Sequence, residues 1–200
     1  ITQVARGIGL DSRIGARFLQ AGIGWGGSCF GKDAAALVAT AQEYGLAMPI
    51  VRAARDMNAM QRGRVVEKLL AELKILKGKT IGLLGLAFKP QTDDLRDAPA
   101  LDIARQLLQR GVKVKAHDPI AMARAAREHP DLALIYCNTP EEAAAESDGV
   151  VLATEWPEYR KLDWETLRAS MRHPFVLDGR NFLDRARLVK AGYHYAGFGR

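Results

Sequence analysis

The sequence predicts an α/β protein in two parts, a helical region over residues 1–76 followed by a doubly wound parallel-sheet domain over residues 77–200. Two observations predict it. As far as about residue 76, apolar residues recur at helical spacing and no convincing strand appears. From Thr80 onward, short β-rich runs alternate with helical stretches, the pattern of a parallel sheet covered by helices.

Taken in order, ITQVARGIGL has no initiator Met and enters what reads as the middle of a helical region, so the sequence is expected to be a fragment without its N-terminal portion. DSRIGARFLQAG reads as a short helix capped by Asp11 or Ser12, and Lys32 to Gly45 as another that ends at the glycine. A long helix follows Pro49, with Val51, Ala54, Met57, Val65, Leu69 and Leu73 as its buried stripe, Gly63 as a weak point, and a subunit or domain contact as its role. Strands are then expected at TIGLLGLAF, VKVKAHD, LALIYC, GVVLAT and FVLDG, with helices at APALDIARQLLQRG, EEAAAES, WETLRASM and DRARLVKAG. Such Rossmann-like sheets bind ligands beyond the carboxyl ends of their strands, which singles out the loops AFKPQTDDLRD, DPIA, TEWPEY and DGRNFLD. Gly82 and Gly85 lack the third glycine of a dinucleotide fingerprint, so strand-end packing is their expected role.

Composition narrows the partners. The net charge of +6 and pI near 9.5 favour anionic ligands such as nucleotides. No basic run is interleaved with aromatics, so no nucleic acid is expected, and no zinc-ligand spacing calls for a metal. Cys29 and Cys137 lie too far apart to form a disulfide framework, which points to a reducing, cytoplasmic setting. No apolar run is long enough for a membrane span.

The stretch WGGSCFGKD, residues 25–33, carries the chemistry. A helix N-terminus favours a thiolate, because its unsatisfied N–H groups and its dipole stabilise negative charge. Cys29 stands where that happens, Gly24, Gly26 and Gly27 leave room for backbone amides to approach a ligand oxygen, and Lys32 and Asp33 add a cation and a carboxylate within one turn. A lone cysteine is more often packing than catalysis, so on these residues alone both readings stand. Cys137, in the apolar run LALIYC, reads as a core thiol. A rival comes from GGSCF, close to the GSCW neighbourhood of papain-like proteases, with His173 in the downstream window of that family's base and Asn181 as its orienting residue. The strand–helix alternation between them speaks against it, because that family's second half is largely β.

DSRIGARFLQAGIGWGGSCFGKDAAAL closely resembles the active-site segment of the UDP-glucose/GDP-mannose dehydrogenase family. GLLGLAFKPQTDDLRDAPALDIARQLLQRGVKVKAHDP resembles the opening of that family's C-terminal domain, and LATEWPEY and FVLDGRN follow in the expected order. The resemblance implies an NAD-dependent, two-step oxidation of a UDP-sugar, UDP-glucose foremost, at C6 to the uronate through a cysteine thiohemiacetal and thioester. It makes Cys29 the nucleophile, also beside the cofactor, and Asp33 the carboxylate that assists proton transfer. Lys32 and Arg96 resemble residues at NAD. Gln20, Ala21, Gly22, Ile23, Gly24, Trp25 and Gly26 resemble the backbone cradle of the nucleotide sugar, with Phe18 nearby and Phe88 before Lys89. Lys89 and Arg180 resemble residues that hold the UDP-sugar, and Arg13 one that reaches the neighbouring subunit's substrate. The helical region is implied to form a homodimer or higher homo-oligomer. Gly31 departs from the family's usual Pro, and the family's N-terminal NAD-binding domain has no counterpart in this sequence, so the chain alone is expected to be inactive. The competing class is a non-catalytic nucleotide-sugar-binding and dimerisation module.

Overall fold

A computed structural model describes residues 1–200. Its centre is a six-stranded, all-parallel sheet: β1 (Thr80–Leu84), β2 (Lys113–His117), β3 (Ile135–Tyr136), β4 (Gly149–Leu152), β5 (Phe175–Asp178) and β6 (His194–Ala196). The strand order β3-β2-β1-β4-β5-β6 reverses direction at β1, so the α/β, doubly wound class expected from the alternation is the fold observed. All five expected strands are present. The sixth, β6, was not expected: it is three residues long, lies at an edge and is only partly buried, so it lacks an apolar run.

The central strands are apolar on both faces because both faces are covered. Alternation along each strand divides the residues between two cores. Ile81 and Leu83, Val151, and Phe175 and Leu177 face one core; Leu84, Val150 and Leu152, and Val176 face the other. Helices α4 (Pro99–Gln109) and α5 (Met122–Glu128) cover the first face. The second carries α6 (Pro140–Ala144), α7 (Pro157–Arg160), α8 (Trp164–Ser170) and α9 (Arg185–Lys190). Short polar caps start several of them: Thr139, Asp163 and Asp184 each accept a hydrogen bond from the amide three residues on.

The first 76 residues form α1 (Thr2–Gly9), α2 (Phe30–Glu43) and α3 (Pro49–Leu73). Two expectations here are corrected. Residues 11–22 are not helical: the Asp11 carboxylate accepts from the Arg13 amide at 2.9 Å, and Gly15 and Phe18 take positive φ, so local side-chain bonding and left-handed backbone win over helical spacing. The stripe of α3 is also shifted. Val65 and Leu69 are buried as expected, joined by Val66, Asn58 and Arg62, but Ala54 and Met57 are exposed and Val51 and Leu73 only half-buried. Only the second half of α3 packs on the sheet domain, whereas periodicity reads the helix as if one neighbour covered its whole length. Gly63 does not interrupt it.

This region owns little core. Of its buried apolar side chains, Ile23, Val65, Val66, Leu69 and Leu76 belong to the core of the sheet, leaving Val38 apart. Val4, Ile8, Leu46, Ile50, Met57 and Met60 are exposed. No helix is long and apolar enough to cross a membrane.

Candidate active site

Residues 20–29 lie across the carboxyl ends of β1 and β5, and small residues let them approach. A Cβ on Gly22 would sit 2.7 Å from the Gly179 carbonyl, one on Gly26 would run into the Asp97 carbonyl, and one on Gly27 would come within 2.8 Å of the Phe88 ring. On this point the glycines serve the chain itself: they remove side chains so that the loop seats on the sheet domain, beside any role toward a ligand.

The loop's hydrogen bonds alternate. The amides of Ile23, Trp25 and Gly27 donate inward, to Gly179 O at 2.9 Å, Asn58 Oδ1 at 2.7 Å and Arg96 O at 2.8 Å. Those of Gly24, Gly26 and Ser28 have no acceptor within the chain. Nor do the first-turn amides of Phe30, Gly31 and Lys32, since α2 begins directly after Cys29 and its first inward bond runs from Asp33 to Cys29 O. A row of unpaired N–H groups leading into a helix N-terminus suits an anion.

Two residues that sequence reasoning missed set this loop. Asn58 brackets the Trp25 peptide, accepting from its amide and donating to its carbonyl at 3.1 Å. Arg62, one turn later, is 9 % exposed in its side chain, donates to Trp25 O at 3.1 Å, and pairs with Asp97 at 2.7 Å and with Asp102. The signal was available: an Asn and an Arg at i, i+4 on the row that continues as Val65, Val66 and Leu69 must be buried, and buried polar groups need partners.

Cys29 is exposed at the head of α2, with Ser28 Oγ 3.7 Å from its Sγ. Cys137 is buried, and burial pushes its thiol up. Lys32 and Asp33 are exposed and lie 3.6 Å apart. Arg96 is raised chiefly by its hydrogen bonds to Asp94, with a smaller contribution from nearby Cys29; the same pair holds the Asp94 carboxyl at about 2. Phe30 joins Phe18 and Trp25 edge to face, at ring distances of 6.0 and 6.3 Å.

The expected substrate residues fall into separate groups. Gln20, Ala21 and Arg180 line a cavity of about 280 Å³, together with Arg6, Asn181 and Arg200. Arg180 is largely consumed by the chain: its Nε donates to Ala153 O and its Nη1 to Gly24 O, both at 2.8 Å, Glu155 lies at 3.4 Å, and desolvation lowers its pKa. Lys89 is exposed, with its ammonium 5.2 Å from the centre of the Phe88 ring. Arg13, 88 % exposed in its side chain, pairs with Asp11 and touches none of the others.

The sheet offers no dinucleotide cradle. Gly85, just past the end of β1, packs against Thr154 in the strand-end role expected, whereas Gly82 lies in the middle of β1 and packs against the Ala143 carbonyl, because α6 crosses β1 there. Asp118, after β2, is saturated by the amides of Leu86, Ala87, Ile120 and Ala121 and by the Trp156 indole. The cations near the thiol are already engaged, Lys32 with Asp33 at 3.6 Å and Arg96 with Asp94 at 2.6 Å. His173 lies before the amino-terminal end of β5, away from the carboxyl ends where the loop to Cys29 sits, and bonds Glu72, which removes the protease arrangement.

Comparison with known proteins places both halves of the chain in one family. The UDP-binding domain of the UDP-glucose/GDP-mannose dehydrogenase family matches residues 82–185, and that family's central domain matches residues 1–60. UDP-glucose 6-dehydrogenases from Pseudomonas aeruginosa and Bacillus subtilis are 44% and 42% identical over the whole chain, which spans 45% and 43% of their lengths. A UDP-glucose dehydrogenase structure from Pyrobaculum islandicum superposes with a TM-score of 0.86 at 37% identity, covering 98% of this chain and 42% of that one. The chain thus spans less than half of the relatives it matches. With both halves matched in order and the sheet superposed, the chain belongs to the UDP-glucose/GDP-mannose dehydrogenase family.

Proposed function

We propose that this chain is the thiol-bearing and nucleotide-binding part of an NAD-dependent dehydrogenase that oxidises UDP-glucose, or a related UDP-sugar, at C6 to the uronate. The observation that carries the reading is the placement of an exposed Cys29 after unpaired amides, on a loop seated against the strand ends that bear Lys89 and Arg180. Residues 1–76 act as the helical part with the thiol, and 77–200 as the UDP-sugar domain. The exposed apolar side chains of α3 support a dimer contact for the first part, and the reading takes the setting to be cytoplasmic.

The Cys29 thiolate adds to the C6 aldehyde carbon, forming a C–S bond while the carbonyl oxygen takes a proton. Loss of the C6 hydrogen with its electron pair, together with loss of the hydroxyl proton to water, leaves a thioester. Water attacks that carbonyl, Asp33 takes the water's proton, and the C–S bond breaks with its electron pair returning to sulfur. Bound NAD supplies the hydride acceptor for both oxidations, and Lys32, Arg96 and the edge of Cys29 would hold it here. The amides of Gly24, Gly26 and Ser28 and the side chain of Lys89 hold the sugar nucleotide, with Gln20 to Trp25 and Phe88 shaping its site and Phe18 and Arg13 at its margin.

A second reading, a nucleotide-sugar-binding module, is favoured by the filled dinucleotide cradle of the sheet. On either reading UDP binds more tightly than pyrophosphate. Calorimetry of the 200-residue chain with both ligands at two salt concentrations tests it: equal affinities that collapse together with salt would reduce the site to general basicity. NADH formation from UDP-glucose by this chain alone would exclude the module.

A further inference from the structure

Three potential metal ligands meet far from the thiol. Glu72 lies in the last turn of α3, His173 stands two residues before β5, and His194 opens β6. Glu72 Oε1 is 2.9 Å from His173 Nε2 and 2.8 Å from His194 Nδ1, and the ligating atoms all lie within 4.8 Å of one another. The imidazole rings stand 5.6 Å apart at 82°.

Each ligand is delivered by the fold. Parallel pairing of β5 with β6 sets Phe175 opposite His194, and the His194 amide donates to Pro174 O at 2.9 Å, which holds the second imidazole beside the first. Packing of the second half of α3 under the sheet brings Glu72 to both. The side chains are 26 %, 35 % and 66 % exposed for Glu72, His173 and His194, so a metal ion there would keep a face open to water.

We propose that Glu72, His173 and His194 form a binding site for one divalent transition-metal ion of the zinc class. Two imidazole nitrogens and one carboxylate oxygen, with water in the fourth position, match the donors and tetrahedral count that zinc takes. Metal bonds replace the two hydrogen bonds to Glu72 Oε1 and release any protons held there. The ion then cross-links α3 to β5 and β6, tying the helical region to the last strand. It lies at the amino-terminal ends of β5 and β6, whereas the loop leading to Cys29 bonds beyond the carboxyl ends of the strands, so its role is to fasten the two parts and not to enter the oxidation.

Titration of the untagged, chelator-treated 200-residue chain with Zn²⁺ alone, after Cys29 is blocked with iodoacetamide, tests the site. One equivalent should bind and raise the thermal midpoint, because a ligand specific to the folded state stabilises it. Glu72→Gln and His194→Ala should each weaken binding by at least about 100-fold. Co²⁺ should give tetrahedral d–d bands without a thiolate charge-transfer band. Circular dichroism establishes that each variant is folded, and His194→Asn is the second variant should His194→Ala fail. No Zn²⁺ binding by the blocked chain, or binding unchanged in folded Glu72→Gln and histidine variants, would show an ion pair only and overturn the proposal.

Discussion

Arg180 Nη1 donates at 2.8 Å to the carbonyl of Gly24, 156 residues earlier in the chain, so one guanidinium joins the DGRN turn to the loop that leads to the thiol. Its Nε makes the matching bond to Ala153 at the end of β4. Arg180→Ala leaves two carbonyls without these donors and should cost about 1–3 kcal/mol of stability in denaturant unfolding. If the side chain also serves UDP, affinity should fall about tenfold to a hundredfold while pyrophosphate binding changes little. Arg180→Lys should restore the charge without both bonds and recover only part of either effect. A variant as stable as the parent would mean the guanidinium does not fasten this loop.

Gly26 and Gly27 are expected to be intolerant of side chains. A methyl at Gly26 meets the Asp97 carbonyl and, at 2.8 Å, Pro99 Cδ; at Gly27 it meets Phe88 with φ at +87°. Backbone cannot yield as a flexible side chain does, so Gly26→Ala should destabilise by about 1–3 kcal/mol. Gly45 also has positive φ but open space around it, and Gly45→Ala should cost about 1 kcal/mol or less beyond its backbone strain. Parallel chemical denaturation of Gly26→Ala and Gly45→Ala checks the order.

The two thiols should separate cleanly. Cys29 is exposed at the head of α2, whereas Cys137 is 5% exposed and burial pushes its thiol up. Iodoacetamide at neutral pH should therefore label Cys29 faster by on the order of tenfold or more, as resolved by peptide mass mapping. Asn58→Ala, which frees the Trp25 peptide, should change the rate at Cys29 and leave Cys137 alone. Equal, slow labelling of both thiols would return Cys29 to packing.

Acid stability carries a signature of the loop after β1. Hydrogen bonds from Arg96 hold the Asp94 carboxyl at about 2, below its ordinary value of 3.8. A depressed carboxylate stabilises the fold above its unfolded value, and that contribution is lost as pH falls from about 4 toward 2. Asp94→Asn should flatten this part of the acid-unfolding curve and leave stability between pH 3 and 2 (roughly, the lower half of that window) less dependent on pH. An unchanged curve would mean the pair is too screened to matter.

The uncovered side of α3 predicts self-association. Ile50, Met57 and Met60 are exposed, and Ile50 is 84% so. Light scattering at tens of micromolar (roughly, where an obligate dimer persists) should give a dimer, and Met60→Glu should shift it toward monomer. A monomer at that concentration would place the contact elsewhere.

Local chemistry was legible where one residue's neighbours in sequence are also its neighbours in space. The alternation of β-rich and helical runs determined the doubly wound sheet, because strands buried on both faces must be apolar throughout and their crossovers helical. WGGSCFGKD placed Cys29 at a helix start for the same reason. Tertiary structure alone decided what the loop's glycines touch, since Gly26 meets Asp97 and Gly22 meets Gly179 only after the sheet has formed. It also decided that Arg180 spends its guanidinium on Gly24 and Ala153, and that Asn58 and Arg62 are buried to hold Trp25. Helical spacing over 11–22 gave way to an Asp11 turn, and only Val65 and Leu69 of the expected stripe of α3 became buried. Periodicity records which residues share a face; only the packed neighbour determines whether that face is covered, and which distant donors and acceptors must then satisfy one another.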